Sequence, residues 1–385
     1  MRRKEVVKRA VHFRRPPRVP YAGSLNTDVF PVMPLLPESF QPTDLPPHVD
    51  GGSHAYKQWW YRRLMYRWDE AARKQAGAPK RWWHHKHASV DEWGVVWQGA
   101  GTKDAEDHTM GHPRLGPLQG EDGWDRLDDF AQAVPDATDP SRYRFARSRK
   151  ARLFSRRWYC TGTCGSDFFF TRLHMLRGFN QFLVDLRRRP KQVRRLVDLV
   201  LPFYLDTIRC LHEAAPWLDC FSAADDWGSQ HGAFVSPELF REFFYEPYRR
   251  IIGLVHDLGM DFFLHSCGDV SALLPLFVEL GVDQVEFDSP HMTGLETCAP
   301  YAERQELFFW CCVDIQKVWP FATPAEVEGE VKRMIDTLGS RDGGFGAYEY
   351  FGASKVLRVP PANVRAMRRA AKKWGRYRDD GRLAW

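Results

Sequence analysis

Between Tyr204 and Trp385 short apolar runs alternate with segments of helical period, which restricts this part of the chain to strand-helix-strand units on a parallel sheet. The runs Asp219 to Ala224, Asp261 to His265, Val282 to Phe287, Leu307 to Val313 and Gly344 to Tyr350 read as strands. Between them lie helical stretches with start signals: Ser236-Pro237-Glu238, Asp269 or Ser271, Thr323-Pro324-Ala325-Glu326 and Pro360-Pro361. Glycines 259, 281 and 339 mark three of the helix ends. Upstream, Arg18 to Ala22, Trp93 to Gln98 and Arg157 to Thr163 supply three more strands. A count of eight fits a (β/α)8 TIM barrel. The stretch 46–87, carrying Trp59-Trp60, Trp82-Trp83 and a histidine cluster at 84–87, reads as an aromatic-rich helical insert that serves as a cap or dimer surface.

One strand end carries unusual chemistry. His265-Ser266-Cys267-Gly268 closes the apolar run Asp261 to Leu264, and residues i and i+2 of an extended backbone point to the same side. An imidazole and a thiol therefore converge where the chain turns away at Gly268. That is half of a metal site, or a reactive thiol beside a base.

Bulk properties exclude several classes. With 44% hydrophobic and 27% charged residues the 385-residue chain can bury a large core. The charge of +6, from 55 basic against 49 acidic residues, comes with no zinc-finger spacing, RNP motif or Gly-Lys-Ser phosphate loop, so no nucleic-acid partner is expected. No secretory signal or long apolar stretch points to a membrane, and eight scattered cysteines do not make a disulfide scaffold. The expected compartment is the reducing cytoplasm.

A set of ordered motifs resembles the uroporphyrinogen decarboxylase superfamily, which holds the decarboxylase itself and zinc-dependent, corrinoid-linked methyltransferases. The resemblance rests on Arg18-Val19-Pro20, Asp91 to Trp97, Leu176-Arg177-Gly178-Phe179, Asp225-Asp226-Trp227-Gly228, Ser236-Pro237-Glu238, His265 to Val270, Trp310 to Gln316 and Pro360 to Val364. It implies a single (β/α)8 TIM barrel over residues 1–385 with an N-terminal helical extension, its active site in a cleft at the C-terminal ends of the barrel strands. The strand-end positions are then Asn26 and Asp28, Glu92 and Trp93, Cys160 and Cys164, Asp225 and Asp226, His265 and Cys267, Glu286 and Asp288, Cys311, Cys312 and Asp314, and Tyr348, Glu349 and Tyr350.

In the methyltransferase branch the His-x-Cys pair binds zinc with a third cysteine near the eighth strand. Here Ala353 or Ser354 stands at that place, so Glu349 or Cys312 is the expected third ligand if one is present. Asp226, Asp288 and Tyr350 are the expected catalytic groups, and Asn26, Trp93 and Trp227 the expected cofactor contacts. Arg177 is expected to anchor a helix to the barrel.

The function implied is metal-dependent methyl transfer between a small methylated substrate or thiol and a corrinoid on a partner protein, by a homodimer. Two readings stand beside it. Tetrapyrrole decarboxylation would need arginines after strand one to hold acidic side chains, and Gly23 to Asp28 contains none. A barrel that binds a ligand without turning it over is the other.

Overall fold

The computed structural model describes residues 1–23, 27–34, 37, 91–98, 112–164, 167–339, 342–350, 354 and 357–377. Asn26, Ala353, the insert 46–87 and its histidine cluster lie outside the described residues.

Eight parallel strands form a nearly closed barrel: β1 (Tyr21–Ala22), β2 (Val29–Val32), β3 (Tyr159–Thr163), β4 (Cys220–Ala224), β5 (Asp261–His265), β6 (Gln284–Phe287), β7 (Phe308–Cys311) and β8 (Phe345–Tyr348). Pairing runs sequentially from β2 to β8 and returns from β8 to β1. The seam between β1 and β2 is bridged at one point by Asp28, whose N–H donates to Tyr21 O at 2.7 Å. Its carboxylate accepts from the Tyr21 N–H at 2.9 Å and from both Arg18 Nη atoms at 2.6 and 2.7 Å.

The expected second strand is corrected. Val29–Val32, not Trp93 to Gln98, pairs with β3, while Val96–Gln98 forms an antiparallel ribbon with His112–Leu115 outside the barrel. Pro31 argues against a strand when read in isolation, since it lacks an N–H for a ladder. At the seam β2 has a paired neighbour on one side only, and the missing donor is tolerated. Consequently Asp28 lies at the N-terminal end of the barrel, not in the cleft. Cys160, the second residue of β3, lies there too, its N–H on Asp219 Oδ2 at 3.0 Å.

The helices follow their start signals. Ser236 caps Pro237–Phe243, and Thr323 with Glu326 forms a reciprocal capping box on Pro324–Leu338. Outward-facing strand residues such as Phe262, Leu264 and Val285 pack against this helical layer. The helix Arg3–Val11 closes the barrel's lower end, burying Val7, Ala10 and Val11 against Ala22, Tyr159, Cys220, Phe308 and Trp310. Lys4 and Lys8 both reach Asp219, at 2.8 and 2.9 Å, and His12 reaches Asp261 at 3.1 Å. Gly346 faces Trp310 across the β7–β8 ladder, and a Cβ there would lie 2.4 Å from the indole. With its lower end sealed, the barrel is left with its C-terminal mouth for chemistry.

Candidate functional site

The inward side of β5 is set by its period of two: Phe262 and Leu264 join the outer core, so His265 faces the barrel interior. On β6, Glu286 is in register with His265, and its carboxylate Oε2 lies in hydrogen-bond contact with His265 Nδ1. Asp288 follows two residues later, 3.9 Å from the Cys267 thiol.

The loop after β5 is stitched to the loop after β4. Asp225 N–H donates to His265 O at 2.9 Å, Trp227 N–H to Ser266 Oγ at 2.9 Å, and Gly228 N–H to Cys267 O at 3.1 Å. Gly268 makes this approach possible. Its φ is +81°, and a Cβ would lie 2.2 Å from the Gly228 carbonyl carbon.

The adjacent carboxylates Asp225 and Asp226 diverge. Asp225 is fully buried and accepts from the N–H groups of Phe170 and Thr171 at 2.8 and 2.6 Å, in the first turn of helix Phe169–Arg177, and from Tyr248 Oη. Burial outweighs those bonds and pushes its carboxyl up to about 6. Asp226 faces the cleft with a half-exposed side chain. Its Oδ1 accepts the Cys267 N–H at 2.9 Å and lies 3.4 Å from His265 Nε2, which is 3.5 Å from Cys267 Sγ.

Five titratable groups, Asp226, His265, Cys267, Glu286 and Asp288, thus share one small space. Burial raises Asp226, but its contacts with His265 and Cys267 outweigh that and hold it down at about 2. Burial alone would lower His265; Glu286, Cys267 and Asp226 together carry it well above the usual imidazole range. The Cys267 thiol is pushed up to about 12 by burial and by Asp226. Burial, then Glu286, raises Asp288 well above the carboxylate range. Glu286 Oε1 and Asp288 Oδ1 are buried without hydrogen-bond partners among the described residues. A cation in this space would complement the acidic groups and reverse the order of preference for Cys267, favouring the thiolate.

The residues fit a zinc-like ion. Bond lengths of about 2.0 Å to nitrogen, 2.3 Å to sulfur and 2.1 Å to oxygen at tetrahedral angles imply N···S near about 3.5 Å and N···O near about 3.4 Å. The distances from His265 Nε2 to Cys267 Sγ and to Asp226 Oδ1, 3.5 and 3.4 Å, agree with those values, and one ligand atom from each of the three residues lies within 4.8 Å of the others. Contact of Nδ1 with Glu286 leaves Nε2 available as a ligand.

Other expected site residues lie elsewhere. Glu349 is bound by Arg368 through two contacts of 2.8 and 2.6 Å and by Tyr21, so it is not gathered into the cluster. Cys312 is fully buried, with its N–H on Phe287 O at 3.2 Å, and also falls outside the groups able to share an ion among the described residues. Tyr350 borders the cluster; burial, Asp288 and Cys267 raise its hydroxyl. Trp227 is a correction: it is fully buried, stacked on Phe170 at 4.0 Å and packed by Phe240, Phe244 and Tyr248, with no face for a cofactor. Trp93 is a second, buried beneath the Arg172 guanidinium and against Phe203, while its neighbour Glu92 pairs with Arg142. Both indoles are large apolar groups beside loops, a pattern shared by core and cleft aromatics. Arg177 anchors its helix, through Asp185 at 2.8 Å and the Leu118 carbonyl at 2.6 Å.

From the sequence, either Glu286 or Asp288 could line the cleft, to orient a metal ligand or act as an acid or base, and strand geometry alone does not choose between them. The available signal was the parity of Glu286 with Asp288, matching the parity of His265 and Cys267. His174 was not named; it is buried near Asp226, and burial lowers its imidazole to about 4.

A (β/α)8 barrel with a His-x-Cys pair at the mouth of its fifth strand defines the class. Residues 155–374 match the uroporphyrinogen decarboxylase (URO-D) family, and this chain belongs to that family. Among solved structures, a methyltransferase from Methanosarcina mazei aligns over 97% of this chain and 98% of its own, with a TM-score of 0.56 and 14% identity, a likeness of fold. An endo-1,4-beta-xylanase from Penicillium canescens aligns over 63% of this chain and 81% of its own at 12% identity, with a TM-score of 0.37, too low to carry an argument. No curated protein matches in sequence. Among the described residues no helix is long and apolar enough to cross a membrane.

Proposed function

We propose that this chain is a metal-dependent methyltransferase that moves a methyl group between a small methylated substrate or thiol and a corrinoid carried by a partner protein. The observation that carries the reading is the placement of His265 Nε2 and Cys267 Sγ, 3.5 Å apart at the barrel mouth with Asp226 beside them. Zinc bound there would act as a Lewis acid, lowering the pKa of a bound thiol or polarising a methoxy oxygen.

The chain's own residues do the rest. Glu286 holds the imidazole so that Nε2 faces the cleft, and the stitched loops keep Cys267 and Asp226 in place before any substrate arrives. Tyr350 borders the same space, and its hydroxyl, raised by burial, is placed to donate a hydrogen bond to an oxygen or sulfur atom of the substrate, while Asp288 lies beside the Cys267 thiol. The tetrapyrrole alternative loses support at Arg18, whose guanidinium is engaged bidentately by Asp28 at the far end of the barrel.

Metal analysis of protein purified without a histidine tag tests the reading. About one zinc per chain is expected, lost in the His265→Ala, Cys267→Ala double variant. No metal in the wild-type protein, even after incubation with zinc, would exclude it.

A further inference from the structure

We infer that the metal set of this chain is one imidazole, one thiolate and one carboxylate, with Asp226 as the third ligand and Glu286 as the residue that positions His265. The inference rests on the metal-dependent reading above and specifies its donor atoms.

Geometry selects Asp226 over Glu349 and Cys312, and also over the second group of ligand atoms within 4.8 Å of one another, His265 with Glu286 and Asp288, because only the Asp226 group includes the Cys267 thiol. Asp226 Oδ1 stands 3.4 Å from His265 Nε2, the separation expected of two ligands on one tetrahedral ion, and the Cys267 amide holds it there. Glu349 is committed to Arg368 and Tyr21, and the buried Cys312 thiol, although near enough to feel Asp288 and Glu286, is in neither group of described residues able to share an ion. Asp226 also keeps a half-exposed side chain, so an ion reaching the cleft meets it without repacking the core.

Charge supports the same assignment. Asp226, Glu286 and Asp288 surround a single imidazole, and among the described residues no lysine or arginine pairs with any of the three. Two of their buried oxygens, Glu286 Oε1 and Asp288 Oδ1, have no hydrogen-bond partner among the described residues. A divalent cation supplies the missing positive charge, whereas an uncompensated acidic group at this depth is costly. Glu286 contributes from behind. With Nδ1–H directed at its Oε2, the imidazole turns Nε2 toward Asp226 and Cys267, so that an ion replacing the Nε2 proton would meet a nitrogen already in place. A nitrogen, sulfur and oxygen set with an open fourth position suits Zn2+ or Co2+.

The test is a titration of metal-free protein with Co2+, whose thiolate charge-transfer absorption scales with the number of bound sulfurs, followed by chelator competition for Zn2+. One Co2+ should bind with the absorption of a single thiolate. Asp226→Ala and the near-isosteric Asp226→Asn should weaken Zn2+ binding by about 100-fold or more, and Glu286→Gln by about 10- to 100-fold. Asp226→Cys should restore binding with roughly doubled absorption, as two sulfurs replace one. Cys312→Ser should change neither affinity nor spectrum. The inference is overturned if both Asp226 variants, shown folded by thermal melting, bind as tightly as wild type, or if Cys312→Ser halves the absorption. Wild-type protein that binds no Co2+ or Zn2+ overturns the metal-dependent reading itself; normal wild-type binding with indifferent Asp226 variants overturns only the donor set.

Discussion

Gly268 shows how one backbone position can govern the whole cleft. At φ +81° it lets the β5 loop lie against Gly228, and this contact sets where Cys267 points relative to Asp226. Gly268→Ala should cost about 3 kcal/mol, from left-handed strain and a backbone clash. Urea unfolding checks the cost, and metal affinity should fall with it. An alanine variant as stable as wild type would mean the two loops are not held by this approach. The His265 and Cys267 pair was legible in the sequence, because side chains two apart on extended backbone share a face, although β5 itself ends at His265 and the loop contact at Gly228 fixes where Cys267 points. Asp226 followed from its place at a strand end. The role of Glu286 was not legible: its contact with His265 depends on the register between two parallel strands, which neither strand encodes alone.

At the scale of elements, seven of the eight barrel strands were readable from apolar runs and the turn signals around them. β2 escaped because it contains Pro31, and the rule against proline in strands weakens at a barrel seam. The helix Arg3–Val11 is the element whose role the sequence least revealed, since a basic amphipathic segment reads equally well as a solvated arm. Its histidine end makes a pH-dependent contact. The hydrogen bond to Asp261 outweighs burial and raises the His12 imidazole above its ordinary value. A raised folded-state value means the contribution is complete below the unfolded pKa of about 6.5 and is lost as pH rises through the folded value. The stability gap between wild type and His12→Gln should therefore be widest near about pH 6 and shrink toward alkaline pH in urea titrations. His12 is more than a third exposed, so solvent screening keeps this gap small. A gap that widens with pH would contradict the assignment. Lys4 and Lys8 on Asp219 hold the same helix.

Across the whole molecule, the barrel separates stability from chemistry. Its lower end is sealed by the N-terminal helix and the Trp310 layer, while its upper end gathers three acidic groups, an imidazole and a thiol around one space. The tryptophans expected to meet a cofactor are instead part of the packing that holds the loops, so Trp227 supports Asp226 from beneath and does not face the cleft. The sequence could not separate these uses, because an indole beside a strand end satisfies either. The central claim is that this mouth transfers methyl groups. Its most direct test is methylcobalamin mixed with zinc-loaded protein and a panel of thiols in the dark, together with the reverse reaction from methoxylated donors to cob(I)alamin, both followed by the cobalamin spectrum. The account predicts zinc-dependent turnover in at least one direction, reduced about 100-fold or more in the His265→Ala, Cys267→Ala variant. Metal-loaded protein that leaves the spectrum unchanged in both directions would contradict it.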